Sequence, residues 1–267
     1  MENSQARAIV VVPIYTTALS SEHVLSLKRT VRIIGHHPFA VICPQGLDLT
    51  PLDALLQPAQ PILERFDRHY FDGVEGYNRL MLSETLYQRF DAYQYLLICQ
   101  TDAFVFEDKL DYWCSQGYDY IGAPWISSPR NALNKTLFWF NNLFRAKKKS
   151  NEYLFKVGNG GFSLRKVRMM QRIVHEQRND IDHELANPRD RNHHVEDQYF
   201  SLAAPTRINE MKIPVYTEAV DFCIDRRPQL ALAINGGRLP FACHGFDKRN
   251  VRNFWRPIIE SSLRAEA

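Results

Sequence analysis

The sequence predicts one α/β domain, and three observations lead to this prediction. The chain has 267 residues, of which 45% are hydrophobic, so it can bury a sizeable core. Up to residue 106, short β-branched runs alternate with segments of helical periodicity. Beyond that point the pattern becomes mixed, with neither an internal repeat nor a clean linker. We therefore expect a single domain over residues 1–267, with a first half at 8–106 and a second half at 107–255.

The first half begins with a strand, a helix and a second strand. Residues 8–12 form a β-branched run that is typical of a strand buried on both faces. Ser20 and Ser21 can cap a helix that Gly35 ends, and residues 39–43 form the next strand. After a proline-rich stretch, we expect a helix over residues 75–90 and a strand over residues 95–99.

The second half is predicted to contain shorter elements. The pattern indicates a helix over residues 108–117, a strand over 118–121 and a turn over 122–125 that exposes Trp125. A glycine turn then precedes a helix over 165–179, and residues 176–194 are polar and loop-like.

Residues 133–149 combine apolar and aromatic side chains with a basic end, and two interpretations stay open. The segment is either a core-packing helix followed by a mobile basic loop or a peripheral contact with a membrane or lipid acceptor through residues 137–149.

Composition excludes several classes of protein. The net charge of +3 is too small to indicate nucleic-acid binding, and five cysteines without a CxxC pair indicate neither a disulfide framework nor a structural zinc site. The sequence has no signal-peptide pattern and no run of about 18 apolar residues. We expect a cytoplasmic protein that is soluble or peripheral at the inner face of the membrane, with no nucleic-acid partner.

The apolar strand at residues 95–99 ends in Gln100, Thr101 and Asp102. Open α/β folds bind ligands at the carboxyl ends of their strands, so Asp102 is a candidate ligand for a metal or phosphate group. His244, from a distant segment, could complete a Mn²⁺ site whose ion neutralises a diphosphate. The alternatives are an aspartate that caps a loop and a structural histidine.

Two further segments supply candidate site residues. Glu196 and Asp197 begin a predicted helix, where a carboxylate could act as the base that deprotonates an acceptor hydroxyl, although first-turn acids also favour the helix dipole. The glycines around Asn159, Gly160 and Gly161 allow close approach of a ligand, or they mark a plain hairpin or bulge.

Asn78 and Arg79 lie near the start of the predicted helix at 75–90. They could reach a bound sugar or diphosphate, or they could act as solvated caps. The motifs of three other enzyme classes fail. There is no GxxxxGK[ST] loop, Gly161 does not begin a nucleophile elbow, and the His183-Glu184 segment lacks the second histidine of a zinc protease.

The motifs that carry a family resemblance occur in a fixed order along the chain. They are Pro13-Ile14-Tyr15, Gln100-Thr101-Asp102, the segment 119–125, the segment 158–165, Glu196-Asp197 and His244-Gly245-Phe246. Together they resemble a bacterial family of uncharacterised glycosyltransferase-like proteins that is similar to GT-A fold glycosyltransferases, and the resemblance covers residues 8–250.

This resemblance implies a GT-A-like fold, in which a Rossmann-like nucleotide-sugar-binding half with a mixed central sheet is fused to a mixed α+β acceptor and catalytic half. It implies roles for most of the candidate residues. On the donor side, Pro13 and Tyr15 would flank the nucleotide base, and Gln100, Thr101 and Asp102 would form the Asp-x-Asp type motif. Asp102 and His244 would hold Mn²⁺ or Mg²⁺. Residues 158–161 would face the acceptor, and Asp197 beside Glu196 would be the base of an inverting reaction. Trp125 could stack on an acceptor sugar.

We therefore expect a glycosyltransferase that moves a sugar from a nucleotide-sugar donor, such as a UDP sugar, to a glycan or lipid-linked acceptor. Gln100 departs from the usual motif because an acid stands there in most such enzymes. The alternative is a catalytically silent nucleotide- or carbohydrate-binding module with a degenerate metal site.

Overall fold

The computed structural model describes residues 6–126, 154–188 and 195–265. Helices cover both faces of a central sheet, as the alternating pattern of the first half predicts. The strands are β1 (Ala6–Pro13), β2 (Phe39–Pro44), β3 (Ile62–Phe66), β4 (Tyr93–Cys99), β5 (Ala103–Val105), β6 (Tyr120–Pro124), β7 (Val157–Lys166), β8 (Cys223–Ile224) and β9 (Ala242–His244).

The helices lie between these strands and after the last of them. They are α1 (Ser21–Ile34), α2 (Asp53–Leu56), α3 (Gly73–Met81), α4 (Glu84–Arg89), α5 (Leu110–Ser115), α6 (Val167–Glu176), α7 (Arg178–Ala186), α8 (Val195–Gln198), α9 (Ala204–Arg207), α10 (Tyr216–Phe222), α11 (Pro228–Ile234) and α12 (Arg252–Arg264). Short 3₁₀ turns occupy Thr50–Leu52, Gln57–Ala59 and Arg68–Phe71, and a π-helical turn at Tyr199–Ala203 connects α8 to α9.

The central sheet has six strands in the order β3-β2-β1-β4-β7-β6. The first four strands run parallel, whereas β7 lies antiparallel to both β4 and β6, so the sheet is mixed. Its buried strands contribute side chains to two cores, because alternate residues point to opposite faces. Val10 packs with α1 on one face, and Val11 packs with α3, α4 and α6 on the other.

A second sheet of three strands, in the order β5-β9-β8, lies beside the carboxyl ends of the parallel strands. Strand β5 follows β4 after a turn of three residues, and it pairs antiparallel with β9. Strand β8 runs parallel to β9. This small sheet brings segments that are more than 100 residues apart in sequence to one edge of the large sheet.

The first strand, the helix with its Ser20 cap and the second strand lie where the sequence predicts them. Ser20 Oγ accepts the backbone N–H of His23 at 3.2 Å, and the N–H of Gly35 donates to Val31 at the other end of the helix. The prediction of one helix over residues 75–90 is wrong. Helix α3 ends at Met81, and the hydroxyl of Ser83 caps α4 by accepting the N–H of Leu86.

Three predictions in the second half are also wrong. Residues 158–166 belong to the ten-residue strand β7 and not to a glycine turn, because both of its neighbours pair with this segment. The polar stretch after residue 176 contains α7, which buries Ile181. Residues 122–124 lie in β6, and Trp125 is 5% exposed, so the expected turn with an exposed aromatic side chain is not found.

The segment at 133–149, with its expected membrane contact through residues 137–149, lies outside the described residues. In the part of the chain that the structure describes, none of the helices is both long enough and apolar enough to span a bilayer.

Candidate active site

The turn between β4 and β5 places Asp102 next to His244. The N–H of Ala103 donates to Gln100 O at 2.9 Å, which closes the turn, and Ala103 then pairs directly with His244 across β5 and β9. The N–H of Gly245 also donates to Asp102 O at 2.8 Å. The antiparallel pairing therefore fixes the two predicted metal ligands beside each other.

Three donor atoms converge at this point. Nε2 of His244 lies 3.1 Å from Oδ1 of Asp102 and 3.3 Å from Oε1 of Gln100. Carboxylate and amide oxygens with one imidazole are a donor set that suits Mn²⁺ or Mg²⁺. Gln100 therefore adds a neutral oxygen to the cluster instead of a second acid.

Gly161 keeps the space beside this cluster open. A Cβ atom at Gly161 would lie 2.0 Å from Nε2 of His244, which is far inside van der Waals contact. A glycine is thus required here because of the His244 side chain and not because of the strand conformation. The cluster of Gln100, Asp102 and His244 fits a divalent cation.

Asp225, which sequence analysis missed, lies on the other side of the His244 ring. Its Oδ1 is 3.3 Å from Nδ1 of His244, and its Oδ2 accepts a hydrogen bond from Nδ2 of Asn159 at 3.2 Å. The residue follows β8, a strand of only two residues, so the sequence carries no recognisable strand that would point to it. Asp225 thus connects His244 to the glycine-rich strand β7.

The two carboxylates govern the charge on His244. Burial opposes the protonated imidazole, but Asp102 and Asp225 outweigh this effect and raise the pKa of His244 to about 10. Burial also disfavours the charged form of Asp102, yet His244 and Lys248 hold the pKa of that carboxyl below its usual range. The two carboxylates on either side of the ring therefore favour its protonated form.

Lys248 is a second residue that sequence analysis missed. Its Nζ lies 3.5 Å from Oδ1 of Asp225, and its side chain is 51% exposed and lines the cavity at the site. Its place in the run Gly245-Phe246-Asp247-Lys248, directly after β9 and His244, is the signal that could have indicated it. Lys248 supplies a half-exposed positive charge next to Asp225 and His244.

Glu196 is buried beneath the cavity in an ion pair with Arg165. The Arg165 guanidinium contacts the Glu196 carboxylate, lies 3.1 Å from the hydroxyl of Tyr87, and is 0% exposed. Gly160 leaves room for this pair, because a Cβ there would come within 2.4 Å of Oε2 of Glu196. The geometry gives Glu196 a supporting position, with its carboxylate directed to Arg165.

Asp197 comes next in the chain and faces the cavity. It is half-buried in the first turn of α8, and the side-chain oxygen of Asn78 accepts the N–H of Glu196 at 3.2 Å. Asn78 and Arg165 therefore hold the start of α8 from two directions. The carboxylate of Asp197 is the acidic group of this motif that a ligand can reach.

One cavity of about 880 Å³ lies over these groups. It is lined by Tyr15, Phe71, Gly73, Val74, Tyr77, Asn78, Gln100, Trp125, Asn159, Gly160, Gly161, Glu196, Asp197, Asp225, Arg226, His244, Lys248, Asn250 and Val251. Its volume falls in the range typical of sites for small-molecule ligands. Most of the residues that the sequence singles out therefore share one cavity.

Four predicted donor-binding residues, including Asp102, do not line this cavity. Asp102 lies directly behind it, with Oδ1 3.1 Å from Nε2 of the lining residue His244. Pro13 is buried within β1, and Arg79 is exposed on α3 next to the buried Asn78. The hydroxyl of Thr101 lies 3.3 Å from Nδ1 of His23, whose Nε2 is 3.2 Å from Asp247. His23 of α1 thus joins Thr101 to Asp247, in the segment that carries Lys248.

Aromatic side chains form the wall of the cavity at the end of β1. The ring of Tyr15 contacts Phe71 at 5.7 Å and Tyr77 at 6.1 Å between centroids, in edge-to-face arrangements. Trp125 lies on the other side, where its ring packs so closely on Gly158 that a Cβ there would be 2.5 Å away. Trp125 is 5% exposed, so only a small part of its side chain reaches the cavity.

Comparison by sequence links the chain to one protein family. A family model described as "Protein of unknown function (DUF5672)" matches residues 61–244, which is more than half of the chain. The match includes the Gln100–Asp102 turn, Asp197 and Asp225, and it ends at His244. A search of curated proteins by sequence gave no match.

Comparison by structure shows the fold. Mouse xyloside xylosyltransferase 1 matches with a TM-score of 0.52 at 12% identity, over 92% of this chain and 99% of that protein. An active-site mutant of LgtC matches with a TM-score of 0.54 at 11% identity, over 88% and 86% of the two chains. Core-mannan synthase A from Aspergillus fumigatus, in a Mn/GDP form, matches with a TM-score of 0.50 at 9% identity, over 80% and 74%. The GT-A fold that the sequence predicts is therefore confirmed.

Proposed function

The chain belongs to the family described as "Protein of unknown function (DUF5672)", and from the geometry of its cavity we propose that it is a glycosyltransferase that uses a nucleotide-sugar donor. The observation that carries this proposal is the convergence of Gln100, Asp102 and His244 at the carboxyl edge of the sheet, where Gln100 and His244 line the cavity that Asp197 also faces. The GT-A fold supports it, because solved structures with this fold include a xylosyltransferase and LgtC in complex with donor and acceptor sugar analogues.

The cluster of Gln100, Asp102 and His244 would bind the diphosphate of the nucleotide sugar through a metal ion. Asp102, His244 and Gln100 would hold Mn²⁺ or Mg²⁺, and the ion would neutralise the negative charge that develops on the leaving diphosphate. Lys248 adds a protein cation for the same charge, at 51% side-chain exposure and therefore free to move toward a phosphate. The Mn/GDP form of core-mannan synthase A shows this pairing of ion and nucleotide in another protein with a similar fold.

The aromatic wall would bind the nucleobase. Tyr15 is 38% exposed and lies against Phe71, so a planar base can cover apolar surface there without displacing a core side chain. A UDP sugar is our first candidate for the donor. The glycan or lipid-linked acceptor would approach from the side of Asn159, Gly160 and Gly161, with Trp125 next to them.

Asp197 would act as the base of an inverting transfer. Its carboxylate faces the cavity, whereas the neighbouring carboxylate of Glu196 is occupied by Arg165. Deprotonation of the acceptor hydroxyl by Asp197 would accompany attack on the anomeric carbon from the side opposite the leaving diphosphate. Glu196 would then serve catalysis only by holding Asp197 in place.

The first test is thermal stabilisation of the protein by a panel of nucleoside diphosphates, each with and without Mn²⁺. A ligand that binds only the folded state raises Tm, so one nucleotide is expected to do so in a Mn²⁺-dependent manner. In the His244→Ala variant, Mn²⁺ should no longer increase the Tm shift that the nucleotide produces. The absence of a shift with every nucleotide would overturn the nucleotide-sugar proposal.

Turnover separates the enzyme from a silent binding module. A transferase hydrolyses its nucleotide sugar slowly even without an acceptor, and this should be detectable as release of the nucleoside diphosphate. A nucleotide that stabilises the protein but whose sugar conjugate is never cleaved would instead favour the binding module.

Asp225 is expected to set the Mn²⁺ affinity through His244. A carboxylate on Nδ1 orients the ring and directs Nε2 to the ion, and loss of such a partner typically weakens metal binding about 10–100-fold. We therefore expect Asp225→Asn to weaken Mn²⁺ binding about 10–100-fold, as measured by titration of free Mn²⁺ by electron paramagnetic resonance. Asp247→Asn is the matched control, since Asp247 lies three residues from His244 but contacts His23. Equal Mn²⁺ affinity in the two variants would contradict this role.

A further inference from the structure

A second group of metal-ligating side chains lies at the opposite edge of the sheet from the cavity. His36 and His37 occupy the turn between α1 and β2, and Asp108 lies in the segment between β5 and α5. The α1–β2 turn leads into the amino end of a parallel strand, whereas the Gln100–Asp102 turn follows the carboxyl end of one. This group, the His–His–Asp cluster, is therefore separate from the candidate active site.

The three side chains already converge on one point. Oδ2 of Asp108 lies 2.8 Å from Nε2 of His37 and 3.2 Å from Nε2 of His36. One ligand atom from each residue can be chosen so that all lie within 4.8 Å of one another. The two imidazole rings are tilted against each other, with centroids 4.2 Å apart.

The carboxylate is held in this orientation by the backbone. Oδ1 of Asp108 accepts the N–H of Leu110 at 2.9 Å, so Oδ2 is the oxygen left for the histidines. The side chain of His37 is 13% exposed and that of His36 is 65% exposed. The cluster thus has two partly buried ligands with a fixed direction and one side open to solvent.

We propose that His36, His37 and Asp108 bind a divalent transition-metal ion of the zinc class, with water completing its coordination. In tetrahedral coordination at 2.0–2.2 Å, ligand atoms are about 3.3 Å apart. The two carboxylate–imidazole distances, 2.8 and 3.2 Å, are already close to this value, and the exposed His36 ring can turn to set the third. Two imidazoles and one carboxylate favour Zn²⁺ over the oxygen-preferring Mn²⁺ and Mg²⁺.

Binding at this position would cross-link α1 to the segment that follows β5. The two are already joined, because Ser26 Oγ donates to Ala103 O and the Arg29 guanidinium donates to the carbonyls of Val105 and Phe106. Strand β5 begins directly after Asp102. An ion in the His–His–Asp cluster would therefore stiffen the far end of the element that carries the candidate active-site ligand.

The test is a calorimetric titration with Zn²⁺ in the His244→Ala background, where the candidate active site has lost its imidazole. We expect one equivalent of Zn²⁺ to bind. His36→Ala and Asp108→Asn should each lower the Zn²⁺ affinity at least about tenfold, because loss of a residue that only supports a metal ligand already lowers metal affinity by about this factor. His36 is chosen because its side chain is 65% exposed, so the protein should still fold when this side chain is removed. Co²⁺ should show the visible absorption of a four-coordinate site, and this band should be lost in both variants.

His175→Ala is the matched control, because His175 is an exposed histidine that pairs with one carboxylate, Glu84, at 3.2 Å. It should leave Zn²⁺ binding unchanged. The proposal fails if His36→Ala and Asp108→Asn bind Zn²⁺ as tightly as the His175→Ala control, or if no equivalent binds at all. Either result would leave the nucleotide-sugar site untouched, since none of these residues lines the cavity.

Discussion

Asp197→Asn is expected to abolish sugar transfer while donor binding is retained. The substitution removes the base but keeps the size of the side chain, and loss of a general base typically costs about 10²–10⁴-fold in rate. The measurement is kcat for transfer, together with the Kd of the nucleoside diphosphate in the presence of Mn²⁺. The value of kcat should fall by about this factor, and the Kd of the nucleoside diphosphate should change little.

Glu218→Gln provides the matched control for this prediction. Glu218 also lies in the first turn of a helix, but it is exposed and accepts a hydrogen bond from the hydroxyl of Tyr118. Its substitution should leave transfer unchanged. The base assignment would be contradicted by wild-type kcat in Asp197→Asn, or by a product whose anomeric configuration is the same as that of the donor.

The sequence indicates Asp102 and His244 but not their neighbour Asp225. Asp102 and His244 come at or just after the ends of apolar runs, which the sequence shows. Strand β4 is a seven-residue run of largely buried residues, so the residues after it had to reach an edge of the sheet. His244 ends a similar apolar run. Asp225 follows a strand of two residues whose partner is distant in sequence, and no local pattern marks such a strand.

The glycine-rich segment shows why local patterns mislead. Glycine is unfavourable in strands, and Gly158, Gly160 and Gly161 therefore predict a turn or a platform for a ligand. In the structure these residues lie in β7, where two of them make room for Glu196 and His244. The close approach that the glycines allow involves side chains from distant segments, which the sequence cannot reveal.

The break between α3 and α4 and the burial of Trp125 are two further features that the apolar pattern does not show. The apolar residues of 75–90 fit one long helix, but the hydroxyl of Ser83 offers a competing hydrogen bond to the backbone N–H of Leu86. Trp125 follows a Gly-Ala-Pro segment typical of a turn, yet β6 pairs with β7 through Pro124 and directs the ring onto Gly158. A local capping bond decided the first outcome, and tertiary pairing decided the second.

Arg165→Met is expected to be the most destabilising single substitution at the site. The guanidinium is the positive partner of the Glu196 carboxylate, and both side chains are at most 1% exposed. Removing one partner of such a pair leaves an uncompensated buried charge, which typically costs about 3–5 kcal/mol. We expect the free energy of unfolding, from urea denaturation, to fall by about this amount.

Arg172→Met provides the control on the next helix. Arg172 also pairs with glutamates, Glu176 and Glu210, but its side chain is 43% exposed, and exposed pairs contribute about 0–1 kcal/mol. The double variant Arg165→Met with Glu196→Leu removes both buried charges together and should therefore be less destabilised than the sum of its two single variants. Additive effects would show that the pair is not coupled, and that α8 and Asp197 are positioned by Asn78 and by apolar packing alone.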